Sequence, residues 1–176
     1  MKRSVFVFTV LLIIAWTVSA FAEPYAPLAP RNAFGKQAMA SKGQTMADVQ
    51  KELPTKEMVN IPAYPGSYFG SEMKSNGVLS SIQLIAKDSP EKVIAWYKKN
   101  MGKDWQYVPG LITEQLGEVG VFVQTDNPNI DAFGSLKHRQ IRIAKVTKPE
   151  DTGFLGMFLE MKGIKSMITL QIKPFM

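Results

Sequence analysis

The sequence contains no cysteine. That excludes disulfides, thiolate metal sites, a cysteine nucleophile and a lipid-modified N-terminal cysteine. His138 is the only histidine, so the donors of an ordinary zinc site are missing and a hydrolytic triad has one possible base. No Gly-x-Ser-x-Gly elbow stands ready to pair with it. A phosphate-cradling glycine loop is also lacking: Gly117 and Gly120 flank only Glu118-Val119 and mark a strand boundary. The net charge of +6 is spread along the chain without a basic stripe, which argues against nucleic acid. No repeat recurs at a fixed period, and no long apolar run follows the first one.

What is there begins with an export signal. Lys2 and Arg3 precede the apolar run Val5–Val18, and Ala20-Phe21-Ala22 supplies the small-x-small cleavage pattern. Cleavage after Ala22 makes Glu23 the first mature residue; if retained, the same run is an N-terminal anchor. The expected location is periplasmic or secreted. An exported domain without disulfides is held by its core alone, and a domain of roughly a hundred residues or more, in a chain 45% hydrophobic, suffices for one.

The expected organisation is a signal peptide over 1–22, a flexible leader over 23–60 and a single α+β domain over 61–176. The leader is rich in Pro, Ala and Gly and lacks an apolar period, with a candidate short helix at Thr45–Leu53 opened by a Thr45/Asp48 capping box.

The clearest element of the domain is a helix near Asp88–Met101. Asp88 or Ser89 can cap it, Pro90 suits its first position, and Gly102 is the expected left-handed stop. Val93, Ile94, Tyr97 and Met101 share one face with Trp96 on its flank, so that face is expected to be core.

Before the helix, Asn76-Gly77 predicts a two-residue hairpin turn pairing Ser75 with Val78. The same register sets Phe69 opposite Leu84, Ser71 opposite Ile82 and Met73 opposite Ser80. Glu72, Lys74 and Gln83 then fall on the other face.

After the helix come candidate strands at Trp105–Val108, Val119–Gln124 and Lys137–Val146, and a last one carrying Ile164, Ile168, Leu170 and Ile172. Val119, Val121 and Val123 are expected on one face, as are Ile141 and Ile143, with Gln140 and Arg142 outward. Such alternation predicts one antiparallel sheet of five or six strands, opening with a β-hairpin and covered on one face by one principal amphipathic helix.

The run IPAYPGS (61–67), the hairpin, DSPEKVIAWYKKNMG (88–102), Trp105 and the closing Met167-Ile168-Thr169-Leu170 resemble a widespread group of small bacterial exported domains. That resemblance covers about Ile61–Lys173. It implies a single α+β domain, often carried on lipoproteins or secreted proteins, mostly of unassigned function and with no catalytic residues in its motifs. This chain departs from the group in lacking the lipoprotein cysteine and in the length of its loops at Thr125–Leu136 and Thr147–Gly163.

The remaining chemical motifs have plainer readings. Ser-x-x-Lys occurs at Ser71–Lys74 and Ser89–Lys92, but the first pair lies on a strand, where three-residue spacing separates the faces. Ser89 is a cap. Asn127, Asn129 and Asp131 alternate like calcium ligands, yet Ala132 and His138 occupy the glycine and glutamate positions of that loop. No cofactor or metal is implied.

The expectation is therefore a non-enzymatic exported domain that binds a protein partner of the bacterial envelope. The candidate partner-binding residues are Phe154, Leu155, Met157, Phe158 and Met161, from the apolar run Phe154–Met161. That run equally fits a buried short helix or an extra strand, and burial within the same domain is the ordinary outcome. The alternative is a small-molecule binder or unusual hydrolase with a cleft between helix and sheet, lined by Trp96, Trp105 and Tyr107 with Arg142 or His138.

Overall fold

The structure, a computed structural model, describes residues 23–112 and 117–175; the expected export segment lies outside them. Six strands form one antiparallel sheet: β1 (Tyr68–Ser75), β2 (Val78–Ala86), β3 (Trp105–Tyr107), β4 (Glu118–Gln124), β5 (Gln140–Lys145) and β6 (Ser166–Gln171). Their spatial order is β1-β2-β6-β5-β4-β3. The helices are α1 (Ala33–Ala40), α2 (Met46–Lys51), α3 (Lys56–Val59), α4 (Pro90–Asn100) and α5 (Ala132–Ser135). This is the α+β architecture expected from the alternation of apolar and polar residues.

The hairpin turns where Asn76-Gly77 places it. Both residues have positive φ, 50° and 75°, which suits the twist of the paired strands. Ser75 faces Val78 and Phe69 faces Leu84, as expected. Between these ends the register differs: Ser71 lies opposite Gln83, Glu72 opposite Ile82 and Met73 opposite Ser81. Extra residues at Gly70 on one strand and Ser80 on the other create two compensating bulges. A strict period-two reading cannot detect such a pair, because both ends of the hairpin remain in phase.

Helix α4 crosses one face of the sheet. Val93 and Tyr97 are fully buried, Ile94, Trp96 and Met101 are half-buried, and Lys92 and Lys99 are exposed. Beneath them lie Ile82, Leu84, Phe122, Ile141, Ile143, Ile168 and Leu170. The helix ends differently from expectation. Met101 adopts an extended conformation and its N–H donates to Tyr97 O at 3.0 Å, while Gly102 is not left-handed. Ser89 occupies the N-cap position without a capping bond. Asp88 instead accepts from the Tyr64 hydroxyl at 3.0 Å, tying the IPAYPG turn to the helix start.

Residues 23–60 are not a flexible leader. Tyr25, Leu28, Ala29, Leu53 and Val59 are all at most 7% exposed. Residues 27–29 run along the outer edge of β1, with Phe69 N–H donating to Pro27 O at 2.7 Å and Ala29 N–H to Phe69 O at 2.8 Å. The Thr45/Asp48 capping box forms as expected and opens α2. Proline and alanine made the segment look uncommitted, yet the apolar residues scattered among them find partners on the sheet edge. Burial of each leucine or valine among them contributes about 1.5–3 kcal/mol, and no helical or strand period is needed to collect it.

The second face of the sheet is partly covered too. At one end, Ile85, Val146 and Ile164 pack with Ala29, Leu155 and Leu159. At the other, Val121 and Val123 pack with Val108, Leu111 and Ile130. A bulge between Glu118 and Gly120 takes Val119 out of line, and it packs toward the main core instead. The expected face of three valines therefore holds only two.

Candidate functional site

The apolar run after residue 153 forms neither an α-helix nor a strand. Pro149–Met157 is a 3-10 segment broken at Gly153, where φ is 57° and ψ −130°. Its start is pinned by Asp151, whose Oδ2 accepts from Thr147 N–H at 2.7 Å, the Thr147 hydroxyl at 2.6 Å and Lys148 N–H at 3.0 Å. These bonds favour the ionised carboxylate and hold its pKa below the usual range. Its far end is pinned by the N-terminal strap: Asn32 N–H donates to Phe158 O at 3.1 Å and Glu160 N–H to Pro30 O at 2.9 Å. Close packing continues at α1, where a side chain on Gly35 would strike Phe158 O at 2.2 Å.

This anchoring divides the candidate partner-binding residues. Leu155 is 6% exposed and fastens the segment to the sheet, so it is corrected from a contact residue to a structural one. Phe158 and Met161 are half-buried. Phe154 and Met157 project, 72% and 53% exposed. The Phe158 ring lies 4.7 Å from that of Phe154 and 5.2 Å from that of Phe34, making one continuous aromatic patch. Phe34, itself 51% exposed, belongs to the supposed leader. Beside the patch is a cavity of about 360 Å³ whose walls include Met39, Val49, Leu53 and Phe69. Arg31 stands at its margin and donates through Nη2 to Gly70 O at 3.2 Å; partial burial lowers the guanidinium pKa.

A second feature occupies the sheet face opposite α4. Between the 3-10 segment and strands β2, β6 and β5 runs an open groove of about 1070 Å³. Its floor carries Gln83, Thr169 and Arg142. The Arg142 Nη1 donates to both Glu118 carboxylate oxygens, at 2.7 and 2.9 Å, and Nε donates to Gln140 Oε1 at 2.9 Å. Gln140, fully buried, is held in turn by Ser135 O. This network emerges from the outward-facing polar positions of β4 and β5, which were legible as polar but not as neighbours.

The residues of the alternative cleft do not converge. Trp96, Trp105 and Tyr107 are half-buried on the α4 side, and Arg142 is on the other side of the sheet. Val93, Tyr97, Phe122, Ile141 and Ile143, each at most 2% exposed, fill the space between helix and sheet. His138 closes a turn with its backbone N–H on Ser135 O at 3.0 Å. The Ser71 hydroxyl bonds to Gln83 Oε1 and the Lys74 amine pairs with Glu72, so that Ser-x-x-Lys pair is not assembled.

Asn127 and Asp131 serve the backbone: Asn127 Oδ1 accepts from Asn129 N–H at 2.9 Å, and Asp131 Oδ1 from Gly134 N–H at 2.6 Å. Among the described residues, no three His, Asp or Glu side chains gather where they can hold a metal ion. Nor is any helix among them long and apolar enough to cross a membrane. No family model, curated protein or solved structure matches the chain.

Proposed function

We propose that this chain is a non-enzymatic, exported binding domain that docks on a protein of the bacterial envelope. The observation that carries the reading is the aromatic patch of Phe34, Phe154 and Phe158 with Met157 beside it, set against an open apolar cavity. Large apolar side chains held in the open by a pinned segment lose little conformational freedom on binding. Their burial against a partner is correspondingly favourable. Methionine and phenylalanine together suit an adaptable contact surface.

The partner this surface fits presents an apolar side chain to the cavity and polar groups to Arg31, Lys42 and Glu52 at its margin. Photo-crosslinking tests the reading. A benzophenone amino acid placed at Met157 should yield a discrete adduct with an envelope protein in intact cells, whereas the same probe at Lys99 should not. Adducts of equal yield at both positions, or none at Met157, would remove the basis for the proposal.

A further inference from the structure

We propose that the groove on the sheet face opposite α4 is a binding site for a neutral oligosaccharide. The inference rests on the polar floor of the groove, which adjoins the aromatic docking patch and shares the Phe154 ring with it at one wall.

The floor is a ready-made row of hydrogen-bonding groups. Register places Ser71 beside Gln83, Gln83 beside Thr169, and Thr169 beside Arg142, on four consecutive strands. At a strand spacing near 4.8 Å the row is roughly 14 Å long, a length that suits a chain-like ligand. Gln83 and Arg142 are oriented in advance. The Ser71 hydroxyl meets Gln83 Oε1 at 2.9 Å, which leaves the Gln83 amide nitrogen to donate outward. Glu118 and Gln140 fix the Arg142 guanidinium through Nη1 and Nε, which leaves Nη2. Among the described residues, the Gln83 nitrogen, the Thr169 hydroxyl and Arg142 Nη2 have no protein partner. Groups held in place before the ligand arrives lose little freedom on binding it.

Charge selects the ligand class. The one cation on the floor is neutralised by Glu118 in direct contact. Glu72 is paired with Lys74, and the ionised Asp151 carboxylate is offset by the positive charge of Lys148 nearby. Lys145 and Glu150 leave one charge of each sign on the rim. Among the described residues the lining charges balance once Lys74 and Lys148 are counted, which leaves little net field to draw in a polyanion or a polycation.

An extended peptide is disfavoured for another reason. Strands β2, β6 and β5 are each flanked on both sides, so the floor has no free main-chain N–H or C=O for strand addition. What remains are directed donors and acceptors on side chains, with two exposed aromatic rings at the borders of the groove. Phe154 is at the wall and Phe175, 61% exposed, borders the continuation of the groove. A sugar chain presents the matching surface, with hydroxyls at the ring edges and apolar C–H faces that lie on aromatic rings.

The test is titration of the mature chain with tetrasaccharides of β-1,4-linked N-acetylglucosamine, β-1,4-linked glucose and α-1,4-linked glucose. The readout is the NMR side-chain signals of Gln83 and Arg142 Nε–H, together with calorimetry. At least one tetrasaccharide should shift both signals saturably. Thr169→Val and Gln83→Leu should each weaken that binding by roughly tenfold, the worth of about one hydrogen bond, while leaving the unfolding midpoint and the Met157 crosslink unchanged.

Arg142→Met strands the buried Glu118 carboxylate, so it is examined only with Glu118→Gln beside it, and that double variant should also lose the binding. Three results would overturn the proposal. One is the absence of groove shifts with all three sugars. Another is sugar binding that is indifferent to the floor variants. The third is preferential groove binding of a heparin oligosaccharide or a neutral hexapeptide.

Discussion

Tyr97 allows the packing argument to be tested with both signs of effect at one position. Its side chain is 0% exposed, and its ring meets Trp96 edge-on at 5.0 Å and Phe122 at 5.9 Å. Among the described residues the hydroxyl has no hydrogen-bond partner, although the Tyr64 backbone lies close by. Burial raises its pKa well above the ordinary phenol value, so it stays protonated and needs an acceptor it lacks.

Two substitutions then act in opposite directions. Tyr97→Ala removes a large buried ring and leaves a cavity between helix and sheet, which costs about 3–5 kcal/mol. Tyr97→Phe keeps the ring and removes an unpaired polar group whose burial costs about 1–3 kcal/mol. The phenylalanine variant should therefore equal or exceed the parent in stability. Lys99→Ala, on the exposed face two residues away, should stay within about 0.5 kcal/mol. Urea denaturation followed by tryptophan fluorescence measures all three, provided the slopes agree so that midpoints compare directly. A Tyr97→Phe variant less stable than the parent by more than about 1 kcal/mol would refute the reasoning. The hydroxyl would then have a bonding partner that the packing does not provide.

Other positions give further checks. Leu155→Ala should cost about 2–5 kcal/mol, whereas its neighbour Phe154→Ser should change stability by less than about 0.5; thermal unfolding of the pair separates anchor from patch. Leu28→Ala should also cost about 2–5 kcal/mol, because the strap it belongs to is part of the core; a variant as stable as the parent would restore the flexible leader.

Asp151 gives a pH dependence. Its folded pKa lies below the ordinary 3.8, so its capping contribution is present above that value and is lost as pH falls through the folded pKa. Hydrogen exchange at the Thr147 and Lys148 amides should lose protection in that acid range, and in Asp151→Ala at every pH. His138→Ala should leave stability and the Met157 crosslink unchanged; an ester, peptide, glycoside or phosphate turnover that disappears in this variant would make the chain an enzyme.

Local chemistry alone determined the parts of this protein that depend on few neighbours. Asn76-Gly77 specifies its turn because both residues tolerate positive φ, and the Thr45/Asp48 box specifies a helix start by satisfying free backbone N–H groups. The face of α4 follows from 3.6-residue spacing, and the α+β class follows from strands that alternate apolar and polar. These effects act over a few residues, so they can be read in order along the chain.

The tertiary structure decided the rest. The bulges at Gly70 and Ser80 cancel one another in register, and neither disturbs the pattern at the hairpin ends. Met101 stops α4 by turning extended toward the next strand, although Gly102 stood ready to do so. The segment 23–60 has no periodicity because it lines an edge and a corner instead of a face.

Both candidate sites also arise from contacts distant in sequence. Phe34 meets Phe158 across 124 positions, and the floor of the groove assembles from Gln83, Thr169, Arg142 and Glu118 on four strands. Each of those side chains reads singly as an ordinary outward polar residue. Only the strand order β2-β6-β5-β4 makes them neighbours, because sheet pairing joins residues according to topology and has no regard for their separation along the chain.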